Sequence, residues 1–425
     1  MSDAADDSAR RFAVDVVDRL RSAGFEAVWA GGCVRDQLLG RPPQDYDVAT
    51  SATPEQIRDV FSKRKTLAVG AAFGVITVLG PRGVGQIDVA TFRRDAEYSD
   101  GRHPDSVSFS NAREDAARRD FTINGLFYDP IEERVIDYVG GRDDLQARVV
   151  RAIGSAGDRI AEDKLRMLRA VRFAATYRFT IDPATAAAIQ QHAAELTVVS
   201  GERIASEMRR MLGHACRADA LRLLAETDLL NVVVPEVADL ATDATDPTWQ
   251  ATLSLLAQLE TDEFATGLAA LVYRAPSTGS AAERRVADIS NRWRLSGDER
   301  QGTCWLLQHV DTILAATTTK WPTLQRLLVV DGTEELIRLA AAITSSAALS
   351  QDDLQFCRDK LALPARELNP EPLISGDDLL AEGIPQGPAF AQLLRAVRDA
   401  QLERSVQTSA DALALARRLF AEEWG

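Results

Sequence analysis

The sequence predicts an α+β protein, with a mixed sheet and helices over about the first 150 residues and an all-helical remainder. Short apolar-alternating segments bounded by glycine turns crowd residues 25–92. From about residue 155 onward nearly every stretch has helical period and is rich in Ala and Leu. A chain of 425 residues also exceeds what one hydrophobic core usually holds, so several domains are expected.

Taken in order, residues from about 8 to 23 read as an amphipathic helix, with Phe12, Val16, Val17 and Leu20 at helical spacing. FEAVWA (25–30) reads as a strand ending at Gly31-Gly32, and VRDQLLG (34–40) as a helix closed by Gly40. YDVAT (46–50) is a strand; TPEQIRDVF (53–61) is a helix with Thr53 as cap and Pro54 in its first turn. GVITVLG (74–80) and GQIDVATF (85–92) alternate as strands around a glycine-rich turn. NAREDAARRDFTINGLFYD (111–129) reads as helix, and ERVIDYVG (133–140) as a further strand. The helical remainder is punctuated by Pro235, Pro247, Pro322, Pro364 and the PEP at 370–372, and carries no internal repeat or low-complexity tract.

Apolar residues at 46% and charged residues at 26% describe a soluble globular chain, and no apolar run approaches the roughly 18 residues of a membrane span. The acidic, polar start MSDAADDSARR has no apolar segment behind a basic one, so a cytoplasmic location without membrane contact is expected. Cys33, Cys216, Cys304 and Cys357 are scattered and read as reduced structural thiols. None of His103, His192, His214 and His309 is followed by Asp, which excludes an HD-type phosphohydrolase domain from the expectation. The net charge of −14 opposes nucleic-acid binding as a whole-chain property. Between Arg148 and Arg222, however, thirteen basic side chains face eight acidic ones. That basic middle is either a solvated helical face or a local site for a polyanion.

Chemistry becomes specific in AGGCVRDQLLGRPPQDYDVAT (30–50). Gly31 and Gly32 would let backbone N–H groups approach a phosphate at a helix N-terminus, and Arg35 lies one turn further on. Asp45 and Asp47 are spaced so that, on a strand, both carboxylates project to one face. Two such hard oxygen ligands suit Mg²⁺ together with substrate phosphates; the plain alternative is a solvated Asp-Tyr-Asp turn. Asp88, on a separate strand, would either assist the attacking hydroxyl as a third carboxylate or pair with Arg93 or Arg94.

GGxVRD (31–36) followed by DxD (45–47) resembles the signature of nucleotidyltransferases with a polymerase-β-like palm. The resemblance narrows to the class II tRNA nucleotidyltransferases (CCA-adding enzymes) and the bacterial poly(A) polymerases. It runs through ATFRRDAEYSDGRHPDSVSF (90–109), RRDFTINGLFYD (118–129), DYVGGRDDL (137–145), EDKLRMLRAVRF (162–173) and SGERIASEM (200–208). Beyond residue 210 it thins to helical character, with PLISGDDLLAEGIPQGPAFAQLL (372–394) similar to the family's tRNA-contacting tail. It implies a palm or head over 1–150, a helical neck over 151–215, and a helical, tRNA-contacting body and tail over 216–425. It also implies a nucleotide held by Gly31, Gly32, Arg35, Arg119, Asp120 and Asn124, magnesium on Asp45 and Asp47, and a nucleotide-selecting helix carrying Asp163, Arg166, Arg169 and Arg172. The family usually has Ala where this chain has Gly125, a change worth about 0.5–1 kcal/mol of helix stability. His103 stands where a second Arg is commoner.

Asp163, Arg166, Arg169 and Arg172 are spaced by three and would share a helical stripe, with Leu165, Leu168 and Val171 on another face. Clustered arginines repel unless an anion joins them, which a triphosphate or tRNA backbone would supply; an ion-paired helix using Glu162 and Asp163 is the alternative. One Asp–Arg pair can accept cytosine and adenine, each presenting an amino group beside a ring acceptor, and reject uracil and guanine, which place a carbonyl against the carboxylate. The expected reaction is therefore untemplated transfer of CMP and AMP from CTP and ATP to the tRNA 3′ end, with loop 93–108 either a mobile element during the switch from C to A or an ordinary solvated loop. Rivals are an A-adding partner of a split system, a poly(A) polymerase, and a non-catalytic RNA-binding protein. The strand VGAAFGVITV (69–78) lacks the basic run of poly(A) polymerases, and both aspartates of DxD are present.

Overall fold

The computed structural model describes residues 2–95, 107–275 and 281–423. His103 and most of loop 93–108 lie outside the described residues. One compact unit extends to Asp239 and a second begins at Leu240.

The first unit is built on a seven-stranded sheet. Its strands are β1 (Ala27–Ala30), β2 (Asp47–Thr50), β3 (Thr66–Leu67), β4 (Val75–Leu79) and β5 (Gln86–Thr91), joined, after the paired β6 (Arg93–Asp95) and β7 (Val107–Phe109), by β8 (Leu126–Asp129) and β9 (Arg134–Asp137). The order across the sheet is β3-β4-β5-β2-β1-β8-β9. Every neighbouring pair is antiparallel except β2 and β5, whose parallel register sets Asp47 opposite Asp88.

The alternation seen in the sequence accounts for the outer strands: Ile76, Val78, Ile87 and Val89 turn inward and are buried. Helix α1 (Ser2–Ser22) packs on β1 and β2 through Val16, Val17 and Leu20, and the Trp29 indole donates to Ala13 O at 3.2 Å. After α2 (Gly32–Leu38), α3 (Pro54–Phe61) opens with a reciprocal Thr53–Gln56 capping box and buries Ile57 and Phe61 over β4 and β5.

Three local expectations are corrected. Strand β2 begins at Asp47, so Asp45 sits in the bend before it rather than two residues along one strand. Pro42 and Pro43 just upstream carry no N–H for a ladder, which keeps that approach irregular. Residues 111–129 are not one helix: α4 (Ala112–Ala117), capped by Asn111, gives way to a 3₁₀ turn and then to β8, all four residues of which are buried. Asp120 accepts from Phe121 N at 2.8 Å, a local bond that competes with helix continuation, and a short apolar run such as Leu126-Phe127-Tyr128 has no period that separates strand from helix. Finally, Asp163 is extended (φ −149°) between α5 (Gly141–Ala147) and α6 (Ala156–Glu162) on one side and α7 (Arg166–Tyr177) on the other. Its carboxylate accepts from Leu165 N at 3.1 Å, so it serves the turn into α7 and does not belong to the helical stripe.

Helix α7 packs against α9 (Gly201–Leu212) and α10 (Arg217–Glu226), which follow α8 (Pro183–His192); Met167, Leu168, Val171 and Ala174 form its inner face. A two-residue parallel pair, β10 (Val149–Val150) with β11 (Thr180–Ile181), ties both ends of the α6–α7 segment together. In the second unit all regular elements among the described residues are helical, with starts marked by Asp246, the Ser296–Glu299 box and the Ser375–Asp378 box. Its C-terminal core gathers Ile374, Leu379, Leu393, Val397 and Ala412. Among the described residues no helix is long and apolar enough to cross a membrane.

Gly125 closes the 3₁₀ turn before β8 and is not helical, so helix propensity is not what an alanine would change there. An added Cβ would meet Val139 Cγ2 at 2.7 Å and Ile153 Cδ1 at 3.2 Å. Gly125→Ala is expected to destabilise the protein by about 1–3 kcal/mol, read as a lower denaturation midpoint, because the neighbours must move.

Candidate active site

The turn between β1 and α2 needs glycine for two reasons. Gly31 has φ +73°, a region L side chains rarely adopt, and a Cβ there would stand 2.9 Å from an Arg119 guanidinium nitrogen. Arg119 is held in that place by Asp115 at 3.0 Å, by Asn124 O at 3.2 Å and by the face of Phe127 at 5.1 Å. Arg35, in α2, is buried and donates to Asn124 Oδ1 at 2.6 Å; Asn124 Nδ2 in turn donates to Asp120 Oδ1 at 3.0 Å.

These groups open onto a cavity of about 630 Å³. Gly31, Gly32, Arg35, Asp47, Arg119, Asp120, Asn124, Asp163, Arg166, Arg169 and Arg172 all line it. So do Phe73, Arg93, Arg118, Leu165, Phe173, Arg203 and Arg210, which makes nine arginines against three aspartates. In a chain of net charge −14, that concentration marks a place for a polyanion.

The arginines of α7 are not left bare for a substrate. Arg166 bonds Glu162 Oε2 at 2.5 Å, Arg169 bonds Asp120 Oδ2 at 2.8 and 2.5 Å, and Arg172 bonds Glu207 Oε2 at 2.5 Å. Asp163, opposite, pairs with Arg203 at 2.7 Å. The mutual repulsion of the stripe is thus relieved largely by protein carboxylates. Burial works against the charge of Asp120, yet Arg169, Asn124 and Phe121 N bring its carboxyl down to about 2. Burial likewise opposes Asp115, but Arg119 and Arg118 hold it below the ordinary carboxylate range. The Phe173 ring underlies three guanidiniums, Arg172 at 4.0 Å, Arg35 at 5.1 Å and Arg169 at 5.4 Å.

Near the cavity negative charge is crowded instead: Asp47 lines it, whereas Asp45 and Asp88 lie near Asp47 but are not among its lining residues. Asp47 is exposed; partial loss of water around it, with Asp45 and then Asp88 nearby, pushes its carboxyl up to about 6 despite Arg119. Asp88 accepts from Thr77 Oγ1 at 2.6 Å, across the neighbouring strand pair. Such a cluster, short of positive partners and made of hard oxygen donors, fits a divalent cation. Among the described residues no three His, Cys, Asp or Glu side chains are grouped so as to hold a metal ion by themselves; a cation here would need substrate oxygens or water as further ligands.

Residues 27–151 match the family described as the poly A polymerase head domain, and residues 178–240 match the one described as a probable RNA and SrmB-binding site of polymerase A. The CCA-adding enzyme of Geobacillus stearothermophilus is 43% identical over 227 residues, which is 53% of this chain and 55% of that protein. The CCA-adding enzyme of Latilactobacillus sakei strain 23K is 34% identical over 402 residues, 93% of each chain. The chain belongs to the CCA-adding enzyme family. A crystal structure from the same family, the Bacillus stearothermophilus CCA-adding enzyme in complex with CTP, superimposes with a TM-score of 0.77 at 28% identity, covering 98% of both chains.

Several residues that shape the family's cavity here escaped the sequence reading. Arg203 and Glu207 lie four apart in SGERIASEM, which places them on one face of α9, and the available signal was an acid at helical spacing with apolar Ile204 and Met211. Asp115 and Phe173 carried no comparable mark. The Asp120–Arg169 pair sets a pH dependence. Its stabilisation is complete above the unfolded carboxyl's value near 4 and is lost as pH falls toward 2. Asp120→Asn should cost about 3 kcal/mol at pH 7, and urea titrations should show the gap to the unaltered protein closing between about pH 4 and pH 2.

Proposed function

We propose that this protein adds CMP and AMP residues to the 3′ end of tRNA, drawing them from CTP and ATP without a nucleic-acid template. The observation that carries the reading is one cavity with an arginine-rich wall that Asp47 also lines, with Asp45 and Asp88 near Asp47, in a chain of the CCA-adding family. The triphosphate would lie against Arg35 and Arg119 at the Gly31-Gly32 turn, where the helix N-terminus and guanidiniums favour negative charge.

Asp163 and Arg166 would read the base. The Asp163 carboxylate has acceptor capacity beyond its bonds to Arg203 and Leu165 N, and Arg166 keeps donors beyond Glu162, Arg159 O and Arg118 O. An exocyclic amino group suits the first and a ring acceptor the second, which favours C and A over U and G. Asp45 and Asp47 would hold Mg²⁺, and Asp88 would steady the neighbouring hydroxyl. A bound magnesium ion supplies a lowered hydroxyl pKa and neutralises charge developing on the phosphate. Arg169 and Arg172, braced by Asp120 and Glu207, would keep the selecting wall rigid while the tRNA 3′ hydroxyl attacks and pyrophosphate leaves. We assign residues 1–150 to the head, 151–215 to the neck and 216–425 to the tRNA-contacting body and tail, and place the protein in the cytoplasm.

The decisive experiment supplies purified protein with Mg²⁺, tRNA ending at the discriminator base, and each nucleoside triphosphate alone and mixed. A ladder of two C and one A additions is expected; A-only or long A tails would overturn the reading. Asp45→Ala and Asp47→Ala should each lower incorporation by roughly 10³-fold while gel-shift affinity for tRNA holds. Arg166→Ala should raise UTP and GTP use relative to CTP and ATP. Because Asp47 must be deprotonated to hold a cation, incorporation at limiting Mg²⁺ should fall as pH drops through about 6 and recover with added Mg²⁺.

A further inference from the structure

We propose that Tyr177 and Asp36 are positioning residues that fix the Arg35 guanidinium and so set the spacing between the phosphate end of the cavity and the arginines of α7. The inference rests on the assignment of Arg35 to the triphosphate.

Tyr177 is the last residue of α7, and its hydroxyl donates to Asp36 Oδ1 at 2.8 Å. Asp36 lies in α2 and takes the back edge of its neighbour Arg35, with Nε at 3.0 Å from Oδ1 and a terminal nitrogen at 3.2 Å from Oδ2. The guanidinium carbon of Arg35 is also 4.5 Å from the Tyr177 ring centroid, and Arg41 approaches the same ring at 5.0 Å. On its other edge Arg35 donates to Asn124, which leads through Asp120 back to Arg169 of α7. The bonds therefore form a circuit that leaves α7 at Tyr177, crosses α2 and returns to α7 two turns earlier.

Such a circuit removes the freedom an arginine would otherwise keep. Bidentate pairing with Asp36 and the ring beneath it hold one orientation, with donors left over for an anion in the cavity. Burial, with Asp36 adding to it, pushes the Tyr177 hydroxyl up to about 12, so it stays a donor across the working range. Deleting that hydroxyl loosens Asp36, and Arg35 must then be ordered by the substrate itself. The loss falls on binding of the triphosphate and is common to both nucleotides, since the base-reading groups lie at the other end of α7.

The test is steady-state kinetics of the full-length protein with tRNA, CTP and ATP, comparing Tyr177→Phe, Arg35→Ala and the double variant. Tyr177→Phe is expected to raise KM for both nucleotides about five- to tenfold, with kcat within about twofold and an unchanged melting temperature. In the Arg35→Ala background it should add nothing, because Tyr177 acts through Arg35. If Arg35→Ala raises KM and Tyr177→Phe does not, or if the two effects multiply, the positioning role is wrong. An Arg35→Ala variant with unchanged KM would instead remove the phosphate assignment and this inference with it. Asp36→Asn, which still accepts from Tyr177 but pairs more weakly with Arg35, should reproduce the KM rise and carries the test should Tyr177→Phe not fold.

Discussion

Nine guanidiniums around one cavity repel one another, and the first unit is organised around that constraint. The answer is a set of acidic side chains paired with the arginines, one of which, Asp120, also lines the cavity. Asp115 serves Arg118 and Arg119, Asp120 serves Arg169, Glu207 serves Arg172, and Asp36 serves Arg35. Asp115, Asp120 and Glu207 are themselves buried; arginines offset the burial of Asp115, and Arg169 with Asn124 and Phe121 N that of Asp120. Packing of β8, α2, α7 and α9 is therefore inseparable from the electrostatics of the cavity wall.

The sheet does the complementary work. A single parallel pairing, β2 beside β5 in an otherwise antiparallel sheet, brings Asp88 level with Asp47 from 41 residues away. Antiparallel neighbours on both sides then bury the inward residues of both strands and leave these carboxylates facing outward. Asp47 and Asp88 thus come from the sheet, and Arg166, Arg169 and Arg172 from α7.

Much of this was readable from the chain. The glycine pair and the arginines spaced by three follow from local rules of turn and helix, whereas the pleat accounts for Asp47 and not for Asp45, which lies before β2. The family motifs lie in contiguous segments, which is why they could be found without a fold. What could not be read is long-range: Glu207 meets Arg172 across 35 residues and Asp120 meets Arg169 across 49, and no period or propensity encodes such pairs. The 111–129 segment misled for a related reason. Leu126-Phe127-Tyr128 becomes a strand because β1 and β9 flank it, a tertiary fact that outweighs its local preference. Asp163 leaves the stripe because its own carboxylate bonds the chain two residues on.

The carboxylates paired with the arginines have a consequence for turnover. A polyanion entering this cavity exchanges water for donors whose charge is already partly spent on the protein. Its grip is correspondingly moderate, set by geometry more than by raw field. For a reaction that must discharge pyrophosphate and then admit another nucleotide, a wall already half satisfied by its own carboxylates leaves less charge uncompensated each time the cavity empties.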